Sequence, residues 1–335
     1  MKENKYRIEY IDILRGFCIF LVTFGHLLEN SGYRGAPLFQ FIYSFHMPVF
    51  ITISGFVMAF SLERKSASNV LQLNFMKDFV VGKFKRIMLP YYVWSLLVVP
   101  LFFYNYDESL NYINCLYSVF VNNTSYWFLP CLFGLSIVYI IYKFVSSRIS
   151  NNVFFKSITL LSLYAILLVI YKVTQYDFLR SISSYFVPFF VGVFMAEYKM
   201  VYKLVTENSK VYTFCLLFFC LLVGGFISSS NDELFAKLVR LICGLLAIPV
   251  CFNFCSHLKL PNLASNYIRF VGQNTLIIYI MQFSFLPGLV IFPNMNIFLQ
   301  LICYSVLSLL LISLILFISK LFAQNRFLST FFLGK

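Results

Sequence analysis

The sequence predicts an all-α polytopic membrane protein, one bundle of about ten spans filling residues 1–335, with both termini cytoplasmic. Three observations carry that expectation. Hydrophobic residues make up 60% of the chain and charged residues only 12%. Apolar segments of span length recur from one end to the other, and Lys and Arg collect in alternate loops between them. No soluble domain of this size has such a composition.

The apolar segments run over about 11–28, 41–62, 87–104, 126–145, 157–173, 182–197, 211–228, 235–256, 272–292 and 298–322. The first reads as a retained helix, because no small-x-small cleavage site follows its apolar run. Several segments contain Pro or Gly (Pro48, Gly55, Pro90, Pro188, Gly192 and Pro249), which membrane helices tolerate when neighbours satisfy the freed backbone groups. There is no internal repeat and no soluble domain. The 42 Phe and 23 Tyr exceed what interfacial belts alone need.

Orientation follows from the cations. One side holds Lys2, Lys5 and Arg7; Arg64, Lys65, Lys77, Lys83, Lys85 and Arg86; Lys143, Arg148 and Lys156; Lys199, Lys203 and Lys210; Lys259 and Arg269; and Lys320, Arg326 and Lys335. The other side has Arg34, Lys172, Arg180, Lys237 and Arg240. The rule that positive loops stay inside makes the first side cytoplasmic. It also explains the net charge of +13 without a nucleic-acid partner. The nine cysteines include no CxxC pair, so neither a metal site nor a disulfide framework is expected. Cys115 and Cys131 flank one outer loop, and their pairing is left open by the sequence.

The first span carries polar residues that lipid would reject: Asp12, Arg15, His26 and Glu29. Eleven steps of 100° from Arg15 to His26 make three turns plus about 20°, so both side chains share a face, about 16 Å apart along the axis. Asp12, three residues before Arg15, can pair with the guanidinium, and Glu29 stands three residues after His26. An arginine snorkelling at a helix end beside a histidine satisfied by a neighbour is the structural alternative. The alignment of the pair on one face favours a functional site. His46 enters the second span from the outer side at a depth similar to His26, whereas His257 lies in an inner loop and reads as an ordinary surface residue.

These residues in this order resemble the integral-membrane acyltransferase-3 family, in particular its branch of polysaccharide O-acetyltransferases similar to fucose 4-O-acetylases. The Arg-x10-His signature is Arg15 to His26, preceded by Tyr10-Ile-Asp12-Ile-Leu. Phe45-His-Met-Pro-Val-Phe-Ile-Thr-Ile-Ser-Gly-Phe56 resembles the second-helix motif, and Lys83-Phe-Lys-Arg86-Ile-Met-Leu-Pro90-Tyr91 the basic lead into the third. Trp127-Phe-Leu129 is similar to the start of the fourth helix, and Gly272-Gln-Asn274-Thr-Leu-Ile-Ile-Tyr279 to a late helix. One position departs: Gln282 stands where the family often has a histidine. The esterase-like domain that some relatives append is absent from this sequence.

The resemblance implies transfer of an acyl group, commonly acetyl from cytoplasmic acetyl-CoA, to a hydroxyl of a surface or lipid-linked saccharide. No tightly bound cofactor is implied; acyl-CoA is a co-substrate. A sugar hydroxyl is a poor nucleophile, and His26 suits the base that takes its proton, with an acyl-His intermediate as the open alternative. Glu29 can orient His26 or form a solvated helix end. Arg15, Arg86 and Lys83 offer cations to CoA phosphates, although Lys83, Lys85 and Arg86 also fit simple inside anchoring. On the acceptor side stand His46 and Trp127, the latter equally suited to an interfacial belt, and Arg240, which can contact an anionic acceptor or snorkel. Asn274 and Gln282 are supporting residues. A transporter or flippase for lipid-linked saccharides remains the alternative, although the helix halves broken in repeated positions that would mark one are absent from the sequence. A membrane sensor would need no aligned Arg and His. The low-Ala, Phe/Ile/Lys/Asn-rich usage suggests an AT-rich bacterial genome, and with the apolar spans the expected location is a bacterial plasma membrane.

Overall fold

The chain is seen in a computed structural model that describes residues 8–63, 73–103, 126–149, 153–228, 233–286 and 296–334. Every regular element among them is helical. Lys2, Lys5, Arg7, Arg64, Lys65, Lys335, the 105–125 loop with Cys115, and the end of the 272–292 segment lie outside the described residues.

The first helix, α1 (Glu9–Asn30), has Glu9 and Asp12 in its first turn, where carboxylates suit the positive end of the helix dipole. It stops at Gly32, whose φ of 82° is the left-handed conformation that glycine adopts without strain. The N–H of Tyr33 then reaches the Leu28 carbonyl (2.9 Å) and that of Gly32 the Glu29 carbonyl (3.1 Å), the paired closure of a Schellman motif. This reversal sends the chain back toward α1. The next helix, α2 (Pro37–Tyr43), starts on a proline, which is preorganised for a first turn. It leads through Ser44 and Phe45 into α3 (His46–Glu63).

Then come α4 (Leu73–Lys83), a π-helical turn (Phe84–Met88) and α5 (Leu89–Phe103). The π turn has a cause in the sequence. Pro90 stands four residues after Arg86, so the Arg86 carbonyl has no α-helical donor, and the proline ring crowds it. Widening the turn to i→i+5 bonding, as in Leu89 N–H to Phe84 O, relieves the conflict. The chain continues as α6 (Phe128–Ile149), α7 (Val153–Thr174), α8 (Asp177–Glu197), α9 (Lys199–Thr206), α10 (Ser209–Ser228), α11 (Glu233–His257), α12 (Asn262–Gln273), α13 (Thr275–Phe285), α14 (Ile297–Ala323) and α15 (Arg326–Leu333).

Among the described residues, seven helices are long and apolar enough to cross a membrane: Glu9–Asn30, Pro37–Glu63, Phe128–Arg148, Phe154–Thr174, Asp177–Glu197, Leu238–His257 and Ile297–Ala323. Lys199–Thr206 and Ser209–Val223 make an eighth if that pair, bent by 58°, is counted as one span. Of the ten expected segments, 87–104 begins inside the π turn and yields a 15-residue helix. The 272–292 segment is interrupted at Asn274, which ends α12 and begins the 11-residue α13. Phe154–Thr174 is the most lipid-like of the spans, with 6% of it buried.

The fold divides into two compact units, residues 1–56 with 194–318 and residues 57–193 with 319–335. In the first, α1 packs on α11, α12 and α13, while α11 also packs on α9 and α10. The α1–α12 crossing is backbone against backbone. A Cβ on Gly272 would collide with the Asp12 carbonyl, and one on Gly16 with the Ile268 carbonyl. Small residues allow this approach, which is how helices gain packing contact in lipid. In the second unit, α6 packs on α4, on the π turn and on α7, and α15 packs on α5 and the π turn.

Candidate functional site

In the first unit, the polar residues of α1 meet partners from three other stretches. Near its amino-terminal end Asp12 is buried (4% exposed) and accepts a hydrogen bond from Gln273 Nε2 at 3.3 Å. Arg15 Nη1 lies 3.9 Å from the Asp12 carboxylate, and Arg15 Nη2 donates to Thr275 Oγ1 at 2.9 Å. Gln273 and Thr275 reach α1 because the chain turns between them at Asn274. The Asn274 side chain itself donates to the Phe270 carbonyl (2.8 Å) and closes the end of α12. Two contacts tie down the start of α1: Arg269 with Glu9 at 2.8 Å, and the Tyr10 hydroxyl to that of Tyr202 at 2.8 Å.

About 16 Å further along α1, His26 is enclosed on one side and engaged on the other. Its Nδ1 faces Glu29 Oε2 at 3.4 Å, and its ring lies 4.8 Å from that of Phe283. Nε2 has no hydrogen-bond partner among the described residues. Glu29 is itself held twice: the Tyr43 hydroxyl donates to Oε2 at 2.9 Å, and Arg34 Nη2 meets Oε1 at 2.7 Å. Gly25 makes room for this, because its missing Cβ would lie 2.8 Å from the Tyr43 ring. The reversal at Gly32 brings Arg34 back to the end of the helix it has just left. His46 is buried (3% exposed), donates from Nδ1 to the Ile42 carbonyl at 2.7 Å, and packs edge-on against Tyr43 with ring centres 4.8 Å apart. Tyr43 thus touches both the carboxylate that faces His26 and the ring of His46.

Between the two ends, Gln282 of α13 is fully buried, and its Oε1 accepts from Thr23 Oγ1 at 3.0 Å. Its Nε2 has no partner among the described residues. Arg240 lies exposed on α11. Among the described residues no group of three His, Cys, Asp or Glu is placed to hold a metal ion.

The other expected residues belong to the second unit. Arg86 stands exposed on the π turn. Lys83, just before it, lies over the Phe79 ring, 5.5 Å from its centre. Trp127 stacks on Tyr185, with ring centres 5.1 Å apart and planes within 18°. Cys131 is buried and forms no disulfide with a described residue, Cys115 lying outside them.

The site also uses residues that the sequence reading passed over: Thr23, Arg34, Tyr43, Gln273, Thr275 and Phe283. Two of them carried a signal. Thr23 lies on the Arg15–His26 face, and Tyr43 falls three residues before His46. The others depend on tertiary packing.

Comparison with known proteins adds the chemistry. A family model described as an acyltransferase domain matches residues 8–318. The nodulation protein NolL of Mesorhizobium japonicum (strain LMG 29417 / CECT 9101 / MAFF 303099) is 33% identical over 93 residues, covering 26% of this chain and 22% of the relative. NolL of Sinorhizobium fredii (strain NBRC 101917 / NGR234) is 31% identical over 93 residues, covering 26% and 23%. The chain therefore spans less than a quarter of the length of the curated relatives it matches. No solved structure matches it.

Proposed function

Because the chain belongs to the acyltransferase-3 family, we propose that it is a membrane O-acyltransferase moving acetyl from cytoplasmic acetyl-CoA to a hydroxyl of a cell-surface or lipid-linked saccharide, with His26 as general base. The observation that carries this reading is the division of labour on the His26 ring. Glu29 faces Nδ1 while Nε2 has no hydrogen-bond partner among the described residues. A carboxylate on one nitrogen fixes the ring and favours the tautomer whose other nitrogen is basic, the arrangement general-base catalysis needs.

In the proposed step Nε2 takes the proton of the acceptor hydroxyl as its oxygen bonds to the thioester carbonyl carbon. The C–S bond then breaks, and the proton passes from the imidazolium to the departing CoA thiolate. Glu29 stabilises the transient imidazolium, and Tyr43 with Arg34 keeps the carboxylate in place. Arg15, held by Thr275 at 2.9 Å and beside Asp12 at 3.9 Å, is assigned to a phosphate or carbonyl of the acyl donor, which its planar guanidinium suits. Arg86 and Lys83 are assigned to the donor as cations, and His46, Trp127 and Arg240 to the acceptor side.

The test is acyl transfer by purified protein, followed by CoA release. His26→Gln, which resembles the imidazole in size but cannot take the proton, is expected to lose about 10²–10⁴-fold in rate with folding intact. Near-wild-type transfer by that variant would remove His26 as the base.

A further inference from the structure

We infer that α15 is a positioning element for the acyl donor: its end seats on the π turn and fixes the height and direction of Arg86. This rests on the reading of Arg86 as a contact for a donor phosphate.

The argument starts from the carbonyl that Pro90 strips of its donor. Helix α15 is capped at its start by Asn325, whose Oδ1 accepts from the N–H groups of Phe327 (2.9 Å) and Leu328 (3.2 Å). It ends on Gly334, in the left-handed conformation at φ 66°. There Gly334 lies against the Arg86 carbonyl, and its missing Cβ would collide with that oxygen and lie 3.0 Å from Pro90 Cγ. Any side chain would have to displace the turn that carries Arg86, and the positive φ would strain it further.

One turn along, Trp94 Nε1 donates to the Phe332 carbonyl at 2.9 Å, and the two rings meet edge to face with centres 5.7 Å apart. Phe322, from the preceding α14, meets Phe332 from another side at 5.6 Å. Leu333 is buried to 1% exposure. The seat is therefore specific in both hydrogen bonding and shape. Above it the Arg86 side chain is exposed and engages no carboxylate among the described residues. An arginine held by its backbone and left open at its guanidinium is prepared for an anion, and a CoA-type polyphosphate supplies one. A cation that only anchored a span in the headgroup region would need no such support.

The experiment measures steady-state kinetics of acyl transfer in three variants, varying acyl-CoA and acceptor separately. Arg86→Gln is expected to raise the KM for acyl-CoA about tenfold or more. Gly334→Val, which disturbs the seat, and Trp94→Phe, which keeps the ring but loses the hydrogen bond, are expected to raise it about three- to tenfold. In each the KM for the acceptor stays as in wild type. Adding Gly334→Val to Arg86→Gln is expected to cost little more, because both act through one guanidinium. If Gly334→Val and Trp94→Phe leave the donor KM unchanged while Arg86→Gln raises it, α15 does not position Arg86 and the donor assignment stands. If Arg86→Gln is itself without effect, the donor assignment fails and this inference with it. Equal loss for donor and acceptor, or full additivity in the double variant, would reduce the seat to a general support of the fold and overturn the inference.

Discussion

Tyr43 donates a hydrogen bond of 2.9 Å to Glu29 Oε2, the same oxygen that faces His26 Nδ1 at 3.4 Å. The carboxylate is therefore shared between a ring it orients and a phenol that orients it. Tyr43→Phe removes one hydrogen bond to a charged group, worth about 1.5–3 kcal/mol, so turnover should fall by roughly ten- to a hundredfold. Glu29→Gln should cost more, because the imidazolium loses its counter-charge. Both losses belong in kcat rather than in the KM for acyl-CoA. Unchanged kcat in both variants would end the orienting role of Glu29.

A second expectation concerns Arg15, near the amino-terminal end of α1. Thr275→Val takes from Arg15 its hydroxyl partner at 2.9 Å while keeping the side-chain volume. A hydrogen bond to a charged group is worth about 1.5–3 kcal/mol. Either donor affinity or stability should fall by a corresponding amount, as read by CoA binding and thermal unfolding in detergent. Arg15→Lys keeps the charge but not the planar fork, and should rescue less than half of the loss seen in Arg15→Gln. Equal CoA affinity in wild type, Arg15→Gln and Arg15→Lys would return Arg15 to helix pairing.

The α1–α12 crossing should tolerate no side chain. Gly272→Val drives two γ-carbons toward the Asp12 backbone and is expected to destabilise by about 1–3 kcal/mol or more, measured as a lowered unfolding temperature. Gly82, on α4, is the control, because a Cβ there meets nothing within 4 Å. Gly82→Ala should be neutral or stabilising by up to about 1 kcal/mol. A Gly272→Val protein as stable as wild type would mean the helices do not touch as described.

Topology can be read from two exposed positions that the charge pattern puts on opposite sides. Single cysteines at Gly35 and Lys210, in a cysteine-free background, should differ in intact cells: the first reacts with a membrane-impermeant maleimide and the second only after permeabilisation. The reverse pattern would invert the proposed sides of donor and acceptor.

Helical geometry alone put Arg15, His26, Asp12 and Glu29 on one face, because residues on a single element have spacings that sequence numbers determine. Apolar length likewise located most of the long helices. What sequence numbers do not contain is the partner across an interface. Asn274 stood out in the sequence, yet Thr275 beside it meets Arg15 and Asn274 closes a helix end. Arg34 read as an outer-loop cation, and only the left-handed turn at Gly32 reveals that it returns to Glu29. The corner at Asn274 was hidden because Phe270 to Phe285 is apolar enough to pass for one uninterrupted span. The π turn was legible in principle: a proline four residues after an arginine states which carbonyl loses its donor.

Helix α7 packs along α6, with the Tyr164 ring 4.7 Å from that of Phe186 on α8, yet among the described residues its Phe154–Thr174 stretch is only 6% buried. Over most of its surface its environment among the described residues is a solvent rather than a set of contacts. A surface that fluid acyl chains cover has no jigsaw to match, so the order of its apolar residues carries little information and only their hydrophobicity and total length count. Scrambling the exposed Leu, Ile and Val of this helix among themselves, with buried Leu167 kept, should be silent. Shortening it by one turn would instead be felt as a mismatch with bilayer thickness, so that α7, alone among the spans described, is written for the lipid and not for the protein.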